Sequence, residues 1–383
     1  MAIRASSTIV CGDSYFDGNT TCISKEGDVY TFGSNFAFAL GSNEKSIPKK
    51  IPCLTAIKSI CCSCHHTICL DIDGIVFSFG SNDCSQLGID KDIVEFTYKP
   101  QIVELPGLVK QISCGEDFSI CLTEKSEVFS FGDNQYGQLG HGNNFQYKYP
   151  KQIQFLKHIE ALKDIDFVEC GSCYAICKTN CNDIYGWGYN AEGQLGVNRK
   201  NTQYKPIKCE DWPDNIIDIK CGIAHTLVLT ATQEVFSCGS NEFGRLGRET
   251  NVLFSTTLEK IDTLSEIIRI ECGDIHSLCI DIYHNLFVFG DNEQGQLGLG
   301  QTEETNLPIK HPSLLNIIDV SSKGDHTFVK TSNNEIYAFG DNRYTQLGTS
   351  SAEKQLIPIQ VFQGQEGIWA SNSNRSRAKS ARK

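Results

Sequence analysis

An aromatic-Gly pair recurs seven times along this chain of 383 residues, with its glycine at Gly33, Gly80, Gly132, Gly188, Gly239, Gly290 and Gly340. The intervals are 47, 52, 56, 51, 51 and 50 residues. Length alone would suggest two or three domains, but self-similarity that runs from end to end makes the chain one array of equivalent units. Each glycine is followed eight residues later by the Gly of a Leu-Gly pair, at Gly41, Gly88, Gly140, Gly196, Gly247, Gly298 and Gly348. Asn stands two residues after the first glycine in all seven copies, from Asn35 to Asn342. Asn tolerates left-handed backbone and closes Asx-turns, so the stretch from Gly-x-Asn to Leu-Gly reads as one fixed loop.

Upstream, an aromatic lies three residues before each glycine (Tyr30, Phe77, Phe129, Tyr185, Phe236, Phe287, Tyr337), usually with a second large apolar residue one before it. A spacing of two puts both on one face of a strand, and Val29, Val76, Val128 and Val235 add strand propensity. About eighteen residues before the glycine comes a Cys-Gly-like turn and then His-Thr or a relative, as in Cys221-Gly222 to His225-Thr226. Two more strands flank that turn. A proline after Leu-Gly, at Pro48, Pro100, Pro150, Pro206, Pro308 and Pro358, is expected to open a fourth strand, placed at the blade edge where a missing N–H costs least.

Four short antiparallel strands repeated seven times predict an all-β, seven-bladed β-propeller of four-stranded blades. A solenoid would need distinct end caps, whereas this chain opens and closes inside the pattern, so the first and last repeats are expected to meet and close the ring. Residues 1–366 are assigned to the propeller and 367–383 to a basic tail, expected to be disordered.

The motifs (Tyr/Phe)-x-(Phe/Trp)-Gly-x-Asn, Gly-Gln-Leu-Gly and Cys-Gly-x-x-His-Thr resemble the regulator of chromosome condensation repeat, over roughly residues 8 to 363. The resemblance implies the propeller and a protein partner. Its founding member is a nucleotide exchange factor for the GTPase Ran. That protein uses an Asp two before the histidine column, an Asp one before it in the next copy, and a His one before it two copies later. In linear register only Asp117 matches, with Cys64 and Ala224 in the other places; counted around the ring from the sixth copy, Asp274, Asp325 and His65 fill the three. The founding member also carries an inserted β-wedge between the aromatic-Gly and Leu-Gly pairs of one blade, which this chain lacks, since all seven spacings are eight. A light-sensing branch uses clustered tryptophans; Trp187, Trp212 and Trp369 are too few for that role.

Other chemistries find less support. Eleven of the nineteen cysteines fall in two repeat columns, Cys11, Cys62, Cys114, Cys170, Cys221 and Cys272 at the turn and Cys22, Cys69, Cys121, Cys177 and Cys279 on the next strand. They read as small buried apolar residues of a reduced, intracellular protein. The clusters Cys61 to His66 and Cys170, Cys173, Cys177, Cys181 are therefore read as packing, with no metal or cofactor expected. His66, His225, His276 and His326 are expected to satisfy backbone groups between blades. No Gly-rich phosphate loop precedes a helix, and no unique nucleophile stands beside a histidine outside its column except near His65.

The chain carries a net charge of −12, of which Arg375, Arg377, Lys379, Arg382 and Lys383 contribute +5, leaving about −17 on the remainder. So acidic a body repels nucleic acid, and any contact with chromatin or nucleic acid, or an import role, falls to the tail. No signal peptide or bilayer-length apolar stretch is seen, so the reading is a monomer in cytoplasm or nucleus. Asp17, His65, Glu116, Asp117, Asp274 and Asp325 lie one or two residues before the histidine column and should share one face. A binding platform using that face is the leading reading, and exchange on a Ran-type small GTPase is the alternative.

Overall fold

In the computed structural model, residues 9–11, 18–34, 48–63, 65–157, 165–249 and 253–362 are described. They form seven four-stranded antiparallel sheets, each running in chain order from its first strand to its fourth. The third blade shows the plan: Val109–Cys114, Phe118–Thr123, Val128–Gly132 and Tyr147–Gln152. First strands of successive blades lie side by side around a central channel, and Ile9–Cys11 of the first blade packs beside Ile317–Lys323 of the last. One cluster containing Ile9, Cys11, Phe32, Phe328 and Leu347 seals that closure. The ring is therefore shut by packing between the two ends of the chain.

The histidine column provides the joint between blades. His66 Nε2 lies 2.9 Å from Ser119 Oγ of the next blade, and Ser119 Oγ donates to the main-chain oxygen of Gln86, 2.8 Å away in the Gln-Leu-Gly loop of the first. The same relay joins His225 to Ser277 and Arg245 O, His276 to Thr327 and Gln296 O, and, across the closure, His326 to Thr20 and Gln346 O. A hydroxyl has one proton, and here it goes to the carbonyl. The imidazole must therefore donate through Nε2.

Tyr174 replaces histidine at the fourth blade, and its hydroxyl reaches Thr226, which donates to Gln194 O. The junction of blades three and four differs again. Phe118 stands in the column, Ala175 replaces the hydroxyl residue, and both enter one apolar cluster. The carbonyl of Gln138 would be left unsatisfied, but Trp187 donates Nε1–H to it at 2.8 Å. An indole at this one aromatic-Gly position is thus the counterpart of a missing hydroxyl.

Two column residues act differently from expectation. The asparagines keep φ negative in the described copies. Their work is done by the amide: Asn134 Oδ1 accepts from Leu139 N at 2.9 Å while Nδ2 donates to the oxygens of Asn143 and Phe145. Pro48 precedes its strand, but Pro100, Pro150, Pro206, Pro308 and Pro358 sit inside theirs. Each falls where pairing breaks, as between Ser130↔Lys151 and Gly132↔Tyr147, so the bulge and the edge position together spare the missing N–H.

The described leucines of Leu-Gly are fully buried; Leu139 clusters with Trp187 of the next blade, and Leu297 with Phe339 of the next. Leu139→Ala and Leu297→Ala should each lower unfolding free energy by about 2–5 kcal/mol, read from denaturant midpoints. Trp187→Phe should cost roughly 1–3 kcal/mol by orphaning Gln138 O, and adding Ala175→Ser should recover much of it. A double-mutant cycle with no coupling between the two sites would refute the substitution of indole for hydroxyl.

Candidate functional site: an acidic loop face

The turn between the first two strands of each blade is held by its own third strand. The N–H of the residue after aromatic-Gly donates to the carbonyl just before the histidine column: Ser81 to His65, Asp133 to Asp117, Asp291 to Ile275 and Asp341 to Asp325, at 2.8–3.0 Å. Aromatic-Gly makes that approach possible. At Gly132 φ is +110°, and a Cβ there would come within 2.5 Å of Asp117 O. The glycine before the turn has a different reason to be glycine, because the column ring lies on its Cα: a Cβ on Gly273 would stand 2.1 Å from His276 Cε1. Where the second blade has Ser63 in this place, the hydroxyl instead lies 2.9 Å from His66 Nδ1. The backbone is fixed throughout, and side chains one and two before the column project from a rigid frame.

Those turns and the following loops meet at one end of the ring. Asp83, Asp133, Glu242, Asp291, Glu293 and Asp341 join Glu116, Asp117, Asp274 and Asp325 there. The basic residues among them are largely committed, since Arg245 is buried and bonded to Glu242, and Arg343 pairs with Asp341 at 3.0 Å. Several of the acids also fix the loops: Gln138, Gln296 and Gln346 donate to Asp133, Asp291 and Asp341.

His65 is brought to the next blade, where Nδ1 lies 2.7 Å from Asp117 Oδ1, with both side chains about one-quarter exposed. Gln86 Nε2 also donates to Asp117 Oδ1, at 2.9 Å. Glu116 Oε2 accepts from Ser172 of the fourth blade. The donor atoms of His65, Glu116 and Asp117 lie within 4.8 Å of one another, the one such His/Cys/Asp/Glu group among the described residues. A cation would compete there with the bonds just named. Asp274 and Asp325 occupy neighbouring turns, linked by Asp274 N to Gly324 O at 3.2 Å. Asp325 Oδ1 lies 3.5 Å from Gln296 Nε2. Asp274 is only 5% exposed and contributes to the electrostatic surroundings of buried Arg245, so it is partly a packing residue. Asp17, Cys64 and the tail residues Arg375, Arg377, Lys379, Arg382 and Lys383 lie outside the described residues.

Of the two cysteine clusters, Cys170, Cys173, Cys177 and Cys181 spread along a strand, with Cys173 before Tyr174–Thr179 and Cys181 past its other end. Cys61 instead pairs with Cys114 of the third blade in a disulfide, Cα–Cα 6.0 Å. That pairing was not foreseen. Nor was a ladder of charges on three neighbouring inner strands, where Lys220 lies 3.4 Å from Glu271 and Arg269 lies 2.5 Å from Asp319. Its signal was present as charged residues two apart in otherwise apolar strands, Asp218/Lys220 and Arg269/Glu271.

With the repeat geometry in view, comparison with known proteins decides the family. Regulator of chromosome condensation (RCC1) repeats match at residues 26–70, 73–122, 125–177, 182–229, 233–280 and 283–329. The chain belongs to the RCC1 repeat family. It is 31% identical to the dog X-linked retinitis pigmentosa GTPase regulator over 332 residues, 83% of this chain and 32% of that protein. It is also 31% identical to Xenopus laevis serine/threonine-protein kinase Nek9 over 209 residues, 50% of this chain and 22% of the kinase. The chain thus spans between about a fifth and a third of such relatives. In structure it resembles human WBSCR16 (22% identity, TM-score 0.79, 90% of this chain and all of that one). It also resembles yeast RCC1 (Prp20) in complex with Kap60 (18%, TM-score 0.80, 97% and 95%), a likeness of fold. Among the described residues no helix is long and apolar enough to cross a membrane.

The histidines beneath this face set its response to pH. Burial pushes His66 and His276 down to about 3, and His225 well below its ordinary value. Folded, these imidazoles stay neutral; unfolded, they take up protons below about 6.5. Their contribution is therefore complete above pH 6.5 and is lost as pH falls towards 3. Glu169 opposes them, since burial raises it to about 7 and its contribution is lost as pH rises from about 4.5 to 7. With three histidines against it, the net trend is destabilisation by acid. His276→Gln should be less stable at neutral pH, and its denaturation midpoint should fall less steeply with acid than that of the parent; an unchanged slope would remove His276 from the account.

Proposed function

We propose that this RCC1 repeat propeller is a non-catalytic interaction platform whose acidic loop face receives a basic surface of a protein partner. The observation that carries this reading is the concentration of carboxylates on turns whose backbones are pinned by the repeat. A rigid base lets side chains vary without loss of fold, and like-charged groups held together attract and steer a complementary partner. The family offers precedents: the yeast Prp20p structure was studied for its binding to Gsp1p and histones, both of them protein partners. Residues 1–366 form the platform in this proposal, and 367–383 a separate basic arm for import or nucleic acid.

Exchange on a Ran-type GTPase is the second reading, favoured by Asp274, Asp325 and His65 standing in the places that the family resemblance marks. Against it stand the uniform eight-residue spacing, which leaves no wedge, and the engagement of His65 by Asp117. An exchange factor must hold the nucleotide-free GTPase more tightly than the loaded one, whereas a platform has no such need.

Both readings are tested by titrating the purified chain with a Ran-type GTPase, loaded and nucleotide-free, and with core histones, while following release of a fluorescent nucleotide. The platform reading expects binding that weakens as salt rises and is lost in the Glu116→Lys/Asp117→Lys double variant, without accelerated release. Acceleration by the parent chain that is lost in His65→Ala and Asp325→Ala, but kept in Glu116→Ala, would establish exchange instead. Salt-independent binding untouched by charge reversal would sink the acidic-face reading.

A further inference from the structure

Cys61 stands one place outside the columns that account for most of the cysteines. In the repeat, the residue five before the histidine column faces the end of the first strand in the next blade. Ser113 fills this place in the third blade, and its Oγ accepts from Cys170 N at 3.0 Å. Across the ring closure, Ser321 Oγ of the last blade lies 3.9 Å from Cys11 Sγ of the first. The second blade carries Cys61 there, and the residue opposite is Cys114. A thiol in the serine place, facing a thiol in the cysteine place, converts a polar contact into an oxidisable pair. Sixteen other described cysteines form no disulfide.

The pair lies at the base of the most tightly knit part of the acidic face. Four residues beyond Cys61 is His65; two and three beyond Cys114 are Glu116 and Asp117. The cross-link and the His65–Asp117 bond together close one short circuit across the junction of blades two and three. Lys323 of the seventh blade also reaches this junction, donating from Nζ to Cys114 O at 3.2 Å.

We propose that Cys61 and Cys114 form a reversible redox cross-link that fixes the His65, Glu116 and Asp117 turns. Cys61 is half-buried and Cys114 is buried, which sets the order of steps. The Cys61 thiolate attacks a peroxide, breaking its O–O bond to give a sulfenic acid and an alcohol or water. The Cys114 sulfur then displaces hydroxide, which leaves as water with the Cys114 proton. In total, two thiols and one peroxide become a disulfide, one water and one alcohol or water. A dithiol reverses the change: its thiolate attacks Cys61, Cys114 leaves, and the second thiol of the reductant resolves the mixed disulfide. Disulfides of intracellular proteins are commonly transient devices of this kind. The column thiols are poor competitors, since burial pushes Cys62 up to about 11 and Cys170 up to about 12.

The full chain, treated with hydrogen peroxide or with dithiothreitol, should be alkylated with iodoacetamide and mapped by peptide mass spectrometry. Oxidised protein should yield a linked Cys61–Cys114 peptide pair that dithiothreitol abolishes, and amide exchange at residues 115–117 should slow several-fold on oxidation. Cys61→Ser, which installs the serine found in blades three and seven, should fold, form no link and show the same exchange in both states. Cys114→Ala provides a second unlinkable chain. Independent alkylation of both cysteines after peroxide, or redox-dependent exchange that persists in Cys61→Ser, would overturn the proposal. The idea rests on the interaction reading only for its consequence at the face, and none of these readouts needs a partner, so either can fail alone.

Discussion

The ring closes where its first and last blades meet, so everything depends on the joints between neighbours. At four of the seven junctions, the closure among them, that joint is the relay from imidazole to hydroxyl to carbonyl. It touches three elements at once: the second strand of one blade, the second strand of the next, and the Gln-Leu-Gly loop of the first. Each proton has one destination, so the joint fixes a tautomer as well as a distance. Because buried carbonyls must be satisfied, the ring side chain can be exchanged while the hydroxyl stays, as Tyr174 shows, but loss of the hydroxyl calls for another donor. The junction of Phe118, Ala175 and Trp187 shows that replacement, with packing in place of the histidine bond and an indole in place of the hydroxyl.

The same economy creates the surface. A turn whose carbonyl is bonded by the third strand, and whose glycine is covered by the column ring, has its path decided before its outward side chains are chosen. Acidic residues accumulate there without disturbing the core, and some serve twice, as when Asp117 takes hydrogen bonds from both His65 and Gln86. Asp274 marks the limit of that freedom. Buried near Arg245, which stands where five other copies have glutamine, it is tied to the frame as much as to the surface.

The architecture was legible because each column obeys a single physical demand in most of its described copies: positive φ at aromatic-Gly, an amide reaching back to Leu N from Asn, and, at four junctions, an imidazole between blades. What escaped were relations between copies. The sequence places Cys61 and Cys114 53 residues apart, and only ring geometry sets the fifth place of one blade against the fourth of the next. The same offset hid the pairing of His65 with Asp117, although both residues had been singled out. The reading of proline as a strand opener failed for a local reason, because the bulge that accommodates it is invisible until the third strand's register is known. Lys220 and Glu271 sit on strands of different blades, and only around the ring do they face one another.

Whether such a face can do more than bind turns on what its loops have left to offer. Opening a nucleotide site requires an element that enters the partner, and the loops between Gly and Leu-Gly are where this family would carry one. In the described copies those loops are consumed internally: Asn Oδ1 holds the Leu N–H, Asn Nδ2 holds carbonyls further on in the loop, and Gln side chains are bonded to acids within the frame. Lengthening such a loop would require breaking that set of bonds, and no copy does so. What remains is a stiff, negatively charged surface, which in the proposed reading aligns a basic partner from a distance, with little that could be driven into it. Differential affinity for an opened partner would have to come from charge alone, and charge acts on both forms of a GTPase more evenly than shape does. The geometry therefore favours capture over exchange.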